Sequence, residues 1–187
     1  SRPTGTRAAR TAGGRPAPGV LAVTQVRAPV LRAACDGGSV ISEGVAQLNV
    51  GQAREEFEVD GEGITVGVLS DSFDQATEAA SGGPLAADAE EDEESGDLPG
   101  PKSPCAIQKA AVDELQPYEF FEEEESFDEG RAMLQIVHDV APEAELAFHS
   151  ASNGELDFAE GTEDLEPAGP DVIVDDVGYF EEPFFQE

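Results

Sequence analysis

The chain has 187 residues and a formal net charge of −31, so it fits one ordinary domain with tails. This charge excludes nucleic acid and anionic membrane surfaces as partners, since both repel a polyanion, and no apolar run is long enough to span a bilayer. It favours either basic partners or adaptation to high salt, in which acidic side chains keep the surface hydrated.

Residues 1–40 differ in composition from the rest of the chain. The first 35 residues hold six arginines and no acid, whereas the remainder holds all 41 acids and only four basic residues. The segment lacks the compact apolar core and cleavage site of an export signal. We expect 1–40 to be disordered or outside the fold. Cys35 and Cys105 could form one disulfide, which would not make a framework.

Apolar spacing and turn residues predict the elements of the first half. A helix is predicted over 44–60, and the β-branched apolar run 64–70 (ITVGVLS) predicts a buried strand. Residues 81–104 hold Gly, Pro, Ser and an acid run, which indicates a solvated acidic loop. A weak strand is predicted over 110–115, followed by a second acidic loop at about 116–127.

The second half alternates helix and strand. Apolar residues at three-four spacing predict a helix from 128 to Pro142, and 144–151 predicts a strand. A helix over 153–165 and a strand over 169–180 follow. This alternation is typical of an α/β fold with helices flanking a parallel sheet, in which sites form beyond the carboxyl ends of the strands.

Acidic side chains are the candidates for chemistry. Asp71 directly follows the first strand, where a general base, a metal ligand or a triad orienter would lie, and where a helix cap is equally common. Glu129 completes a Ser-x-x-Glu capping box with Ser126, which is its structural alternative. One of Asp175 and Asp176 could face the site, or both could be structural.

Neither the two histidines nor the glycine-rich GEG segment predicts a functional site. His138 lies near the end of its helix, about 13 Å from Glu129 at about 1.5 Å per residue, so it cannot act with that carboxyl directly. His149 has no second His or Cys at metal-ligand spacing. The GEG at 61–63 precedes its strand, so it cannot be a phosphate loop.

Three blocks, in order, resemble subtilisin-like serine peptidases over about residues 45–187. GITVGVLSDSFD resembles the strand that ends in the triad Asp. EGRAMLQIVHDVAPEAELAFHSA resembles the histidine block, and PDVIVDDVGYF resembles a later strand that lines the substrate cleft. The resemblance implies a subtilisin-like sheet, incomplete here, with 41–187 as the N-terminal part of the catalytic domain.

The residue at the family's His position is Glu129, as in the related sedolisin branch, although Met133 stands where that branch has an Asp. The resemblance therefore implies Asp71 and Glu129 as a general acid/base pair, with Asp176 and Gly178 lining the cleft. A carboxylate serves as a base for serine only if its pKa is raised, which a second carboxylate nearby would do. Such sites favour acidic operating pH.

The family's nucleophile motif, Gly-Thr-Ser, does not occur in the 187 residues. We therefore expect a fragment of a serine endopeptidase that is inactive alone, with a peptide or protein as substrate, no cofactor, and a structural calcium ion left open. The resemblance favours a secreted or cell-surface location. Two alternatives stay open: a non-catalytic module that binds a cation or a basic peptide, and an unrelated doubly wound domain with an acidic phosphotransfer pocket.

Overall fold

A computed structural model describes residues 38–79, 81–104, 110–117 and 126–179. The expectations for 1–37, for both cysteines and for 118–125 lie outside this range. The helices and strands, in chain order, are α1 Glu43–Gln47, α2 Val50–Phe57, β1 Thr65–Ser70, α3 Ala89–Ser95, β2 Asp113–Gln116, α4 Glu129–Val140, β3 Glu145–Ser150, α5 Glu155–Ala168 and β4 Val172–Asp175.

The four strands form one parallel sheet in the order β2-β3-β1-β4, which confirms the predicted α/β class. β1 is central, because it pairs with β3 from Thr65↔Glu145 onward and with β4 from Val66↔Val172 onward. Five of its six residues are buried. The continuous apolar run predicted this, since a central parallel strand is covered on both faces.

Helices α4 and α5 cover opposite faces of the sheet. Val66 and Val68 of β1 pack in one cluster with Leu134 of α4 and Phe148 of β3. Leu69, one residue further along β1, packs in a second cluster with Leu165 of α5. Because successive side chains of a strand point to opposite faces, α4 and α5 sandwich the sheet and position the carboxyl ends of its strands.

Two of the predicted boundaries are wrong. The single helix over 44–60 is two short helices, because Asn49 has a left-handed backbone (φ 56°) that interrupts the helical path. The last strand is shorter than predicted and occupies only Val172–Asp175. No helix in the described part of the chain is long and apolar enough to cross a membrane, in agreement with the sequence.

The prediction of a solvated loop over 81–104 is wrong for Ala89–Ser95, which is α3. A capping box starts this helix: Asp88 accepts from the N–H of Glu91 at 2.8 Å, and Glu91 accepts from the N–H of Asp88 at 3.3 Å. Gly96, with φ 85°, ends it. Two residues of the acid run, Asp92 and Asp97, are buried. The run is therefore part of the fold.

Candidate active site

The carboxyl ends of β1 and β4 bring acidic side chains together. Asp71 directly follows β1, and Asp175, the last residue of β4, pairs with Leu69 of β1. Since neighbouring parallel strands end at the same edge of the sheet, Asp176 leaves β4 beside Asp71. The first turn of α4 reaches the same edge and carries Glu129.

Asp71 fixes the start of α4. Its Oδ2 accepts hydrogen bonds from the N–H of Phe127 at 2.9 Å and from the hydroxyl of Ser72 at 3.1 Å, and its Oδ1 accepts from the N–H of Gly130 at 3.1 Å. The first N–H groups of a helix have no partner within the helix, and a carboxylate suits the positive end of the helix dipole. Asp71 therefore acts as a capping residue supplied by another strand.

Gly130 lets the first turn of α4 approach the sheet closely. A Cβ on this residue would lie 2.4 Å from Cε2 of Phe148 and 2.8 Å from the backbone oxygen of Ser72. Both distances are too short for any side chain. The close approach holds the neighbouring Glu129 against the ends of the strands.

The capping box predicted for Ser126 and Glu129 is wrong. Residue 128 is the N-cap, so Glu129 is the first residue of the helix and not the third. Asp128 has a left-handed backbone (φ 54°), and its buried Oδ1 accepts from the N–H groups of Gln75 at 2.8 Å and Ala76 at 3.0 Å. Capping by Asp71 therefore leaves the Glu129 carboxyl without a capping role.

Glu129 is exposed, and its pKa is raised above the ordinary value for glutamate. The largest cause is the negative charge of Asp176; partial burial, the charge of Asp71 and a side-chain hydrogen bond with Asp176 add to it. Like charges at close range disfavour ionisation, so the Glu129 carboxyl releases its proton less readily than an ordinary glutamate. We call Asp71, Glu129 and Asp176 the carboxyl cluster.

A buried ion network also contacts the first turn of α4. Nη1 of Arg131 donates to Oδ2 of Asp92 at 2.5 Å and to the backbone oxygen of Ala87 at 2.9 Å, and its Nε lies 3.3 Å from Oδ2 of Asp128. Burial raises the pKa of Asp92, and the Arg131 guanidinium opposes that rise. The network ties α3 to the start of α4.

The remaining candidates from the sequence are the two histidines and Gly178. His138 is buried within the fold, which lowers its pKa, and His149 is buried with Nδ1 2.8 Å from the backbone oxygen of Ser150. Gly178 is exposed, with nothing within 4 Å of where a Cβ would be. Among the described residues, no group of three or more His, Cys, Asp and Glu side chains could hold a metal ion.

Sequence reasoning missed Ser72, Asp128 and Arg131. Ser72 donates to Asp128 at 3.2 Å and accepts from the N–H of the same residue at 3.0 Å. Because Ser72 and Asp128 are polar, the sequence gave no reason to expect that their side chains are buried. Arg131 offered a usable signal, because it is the only Lys or Arg after residue 109, and it lies within an apolar helix. A lone cation placed in this way is typical of a buried ion pair.

Comparison with known proteins adds no further constraint: no protein-family model, curated protein or solved structure matches the chain.

Proposed function

We propose that this chain supplies the acid-base half of a serine peptidase site, with Glu129 as the general base and a serine from outside residues 1–187 as the nucleophile. The observation that carries the proposal is the raised pKa of Glu129, caused first by Asp176. A general base needs a pKa near the operating pH, and an ordinary glutamate is too weak a base. The cluster also lies beyond the carboxyl ends of parallel strands, where α/β sites form.

Each member of the cluster has a distinct task. As the serine oxygen bonds to the scissile carbonyl carbon, Glu129 takes the hydroxyl proton. It returns that proton to the leaving amine nitrogen when the C–N bond breaks. Asp176 keeps the pKa of the Glu129 carboxyl high through its negative charge and a side-chain hydrogen bond. Asp71, with its oxygens occupied by two backbone N–H groups and Ser72, holds the base in place.

The exposure of β4 supports a catalytic domain larger than this sheet. Val172 is 47% and Ile173 is 38% exposed, although they point to opposite faces of the strand. A parallel strand of this composition is ordinarily covered on both faces. Helices that flank a sheet continuing past β4 would cover both residues, and the added strands would form the other wall of a cleft beside Asp176 and Gly178.

A second proposal is a non-catalytic module that binds a basic peptide at the same cluster. The exposure of Glu129 and Asp176 at a sheet edge favours it, because three adjacent carboxylates attract a cation without any serine. Under this proposal Glu129→Gln would weaken binding of a basic peptide, and the longer protein would hydrolyse nothing.

The test uses the reading frame beyond residue 187 and the protein that it encodes. A downstream Gly-Thr-Ser, labelling of that serine by a fluorophosphonate, and peptide hydrolysis that rises with pH through the pKa of Glu129 are the expected results. Glu129→Gln should abolish hydrolysis, while Asp175→Asn, which removes a neighbouring charge outside the cluster, should preserve it. A frame without that serine, or an active Glu129→Gln variant, would refute the proposal.

A further inference from the structure

A cavity of about 690 Å³ lies beside α4. It is bounded by the outer face of α4, by α3, by the segment 39–42, by Ala79 and by residues 85–87. Neither Glu129 nor Asp176 lines it. Its volume is in the range of pockets that hold small ligands or a few side chains of a peptide, about 300–1,000 Å³.

The rim of this cavity carries large apolar side chains that are exposed to solvent. Val40 is 71%, Phe127 52% and Ile136 50% exposed, and all three line the cavity. Ala132 and Leu85 continue the same wall. Large apolar side chains gathered at one exposed concavity, in a chain this acidic, indicate a surface that receives a partner.

The floor is negatively charged. Asp92, Asp97, Asp128 and Asp139 line it, against the single cation Arg131. Hydrogen bonds hold these carboxylates in place: Asp97 accepts from the N–H of Val40 at 2.8 Å and Asp139 accepts from the N–H of Ser42 at 2.6 Å. The floor is thus a preorganised negative surface beneath an apolar rim.

Two buried charged groups on this floor are paired with each other. Nε of Arg131 and Oδ2 of Asp128 belong to residues only 8% and 4% exposed and form an ion pair at 3.3 Å. Arg131 therefore neutralises part of the floor, and the other aspartates leave it with a net negative charge.

We propose that this cavity is a docking site for a basic peptide segment in which apolar residues flank Lys or Arg. The cationic group would lie over the four aspartates, and the flanking apolar side chains would cover Val40, Phe127 and Ile136. None of the three residues of the carboxyl cluster lines the cavity, and the site does not depend on hydrolysis.

Calorimetry of the full chain with acetyl-Leu-Arg-Lys-Leu-amide tests this site. We expect binding that weakens with NaCl, because the Debye length shortens to about 10 Å at about 0.1 M salt. Acetyl-Gly-Arg-Lys-Gly-amide should bind more weakly, and acetyl-Leu-Glu-Glu-Leu-amide should not bind. Equal affinity for the Leu and Gly peptides, or no binding of the first peptide, would overturn the proposal.

A matched pair of variants locates the site. Ile136→Lys places a cation in the cavity and should weaken binding at least about tenfold. Leu156→Lys adds the same charge at an exposed apolar residue of α5 that does not line the cavity, and should change affinity far less. Equal losses would mean attraction by overall charge alone and would overturn the docking site.

Glu129→Gln separates this proposal from the proposed function. It should leave peptide affinity unchanged, because Glu129 does not line the cavity. Weaker binding in Glu129→Gln with normal binding in Ile136→Lys would place the peptide at the carboxyl cluster and overturn the cavity as its site. A longer protein without peptidase activity would leave the binding results for the cavity intact.

Discussion

The Asp71 carboxylate accepts a hydrogen bond from the N–H of Gly130 at 3.1 Å and so joins the end of β1 to the first turn of α4. The same carboxylate adds negative charge beside Glu129, the residue before Gly130. One side chain therefore both fixes the position of the proposed base and raises its pKa. The two effects can be separated experimentally, because the first depends on hydrogen bonding and the second on charge.

Asp71→Ala should destabilise the fold, because the N–H groups of Phe127 and Gly130 lose their acceptor. We expect a loss of about 1–3 kcal/mol in the free energy of unfolding, measured by urea titration. Asp71→Asn, which keeps one acceptor oxygen, should lose less. Asp175→Ala, at the exposed end of β4, is the control. Equal stabilities of the alanine variant and the wild type would show that α4 does not need this cap.

Asp176→Asn should lower the pKa of Glu129, because it removes the largest cause of the rise. The measurement is a carbon-detected NMR titration of the side-chain carboxyl of Glu129 in the full chain. In the wild type we expect a value above about 4.3, the ordinary glutamate value. Asp175→Asn removes the same charge one residue away and should move the Glu129 pKa less. A larger shift in Asp175→Asn would mean that Asp175, and not Asp176, is the main cause of the raised pKa of Glu129.

Glu129→Gln should raise the stability of the fold at neutral pH. The pKa of Glu129 is higher in the folded than in the unfolded chain, so the folded state binds more protons between the two values, and stability falls as pH rises through that window. Above the window the ionised carboxylate costs the fold about 1 kcal/mol or less, because the residue is exposed.

The check on Glu129→Gln is thermal unfolding at two pH values. The variant should melt at a higher temperature than the wild type at pH near 7, and the difference should vanish at pH near 3, below both pKa values. A variant less stable than the wild type at neutral pH would mean that Glu129 stabilises the helix and is not held against electrostatic repulsion.

The parallel sheet and its two covering helices could be predicted from the sequence because their signals are local. The run ITVGVLS marks a strand buried on both faces, and the three-four spacing after residue 128 marks the stripe of α4. The clustering of Asp71 with Glu129 and Asp176 could be predicted only indirectly. The prediction used the rule that parallel strands end at one edge of the sheet, together with a family resemblance that no comparison supports.

The remainder could not be predicted, because it depends on contacts between distant segments. The Ser126–Glu129 spacing satisfies the capping-box pattern, yet Asp71, 59 residues before Gly130, supplies the cap. An acid run ordinarily indicates solvated chain, yet Asp92 is buried because Arg131, 39 residues later, pairs with it. No window of sequence contains both partners of either interaction.

Gly130→Ala should destabilise the fold, because the new Cβ would collide with Phe148 and with the backbone oxygen of Ser72, which cannot move aside. Overpacking of this kind typically costs about 1–3 kcal/mol. Gly51→Ala is the matched control, because a Cβ in α2 meets nothing within 4 Å and should stabilise its helix by up to about 1 kcal/mol. In urea titrations the unfolding midpoint should therefore fall for Gly130→Ala and rise for Gly51→Ala. Shifts in the same direction would refute the close approach of Gly130 to the sheet.

Arg131→Met should be the most destabilising of these changes, because it leaves Asp92 and Asp128 buried without their cation. Breaking a buried pair in this way costs about 3–5 kcal/mol. Arg131 opposes the rise in the pKa of Asp92, so its removal raises that pKa further and the carboxyl takes up a proton more readily. The loss of unfolding free energy should therefore be smaller at pH near 4 than at pH 7. A loss of similar size at both values would mean that Arg131 acts through its hydrogen bond to the backbone oxygen of Ala87 and not through its charge on Asp92.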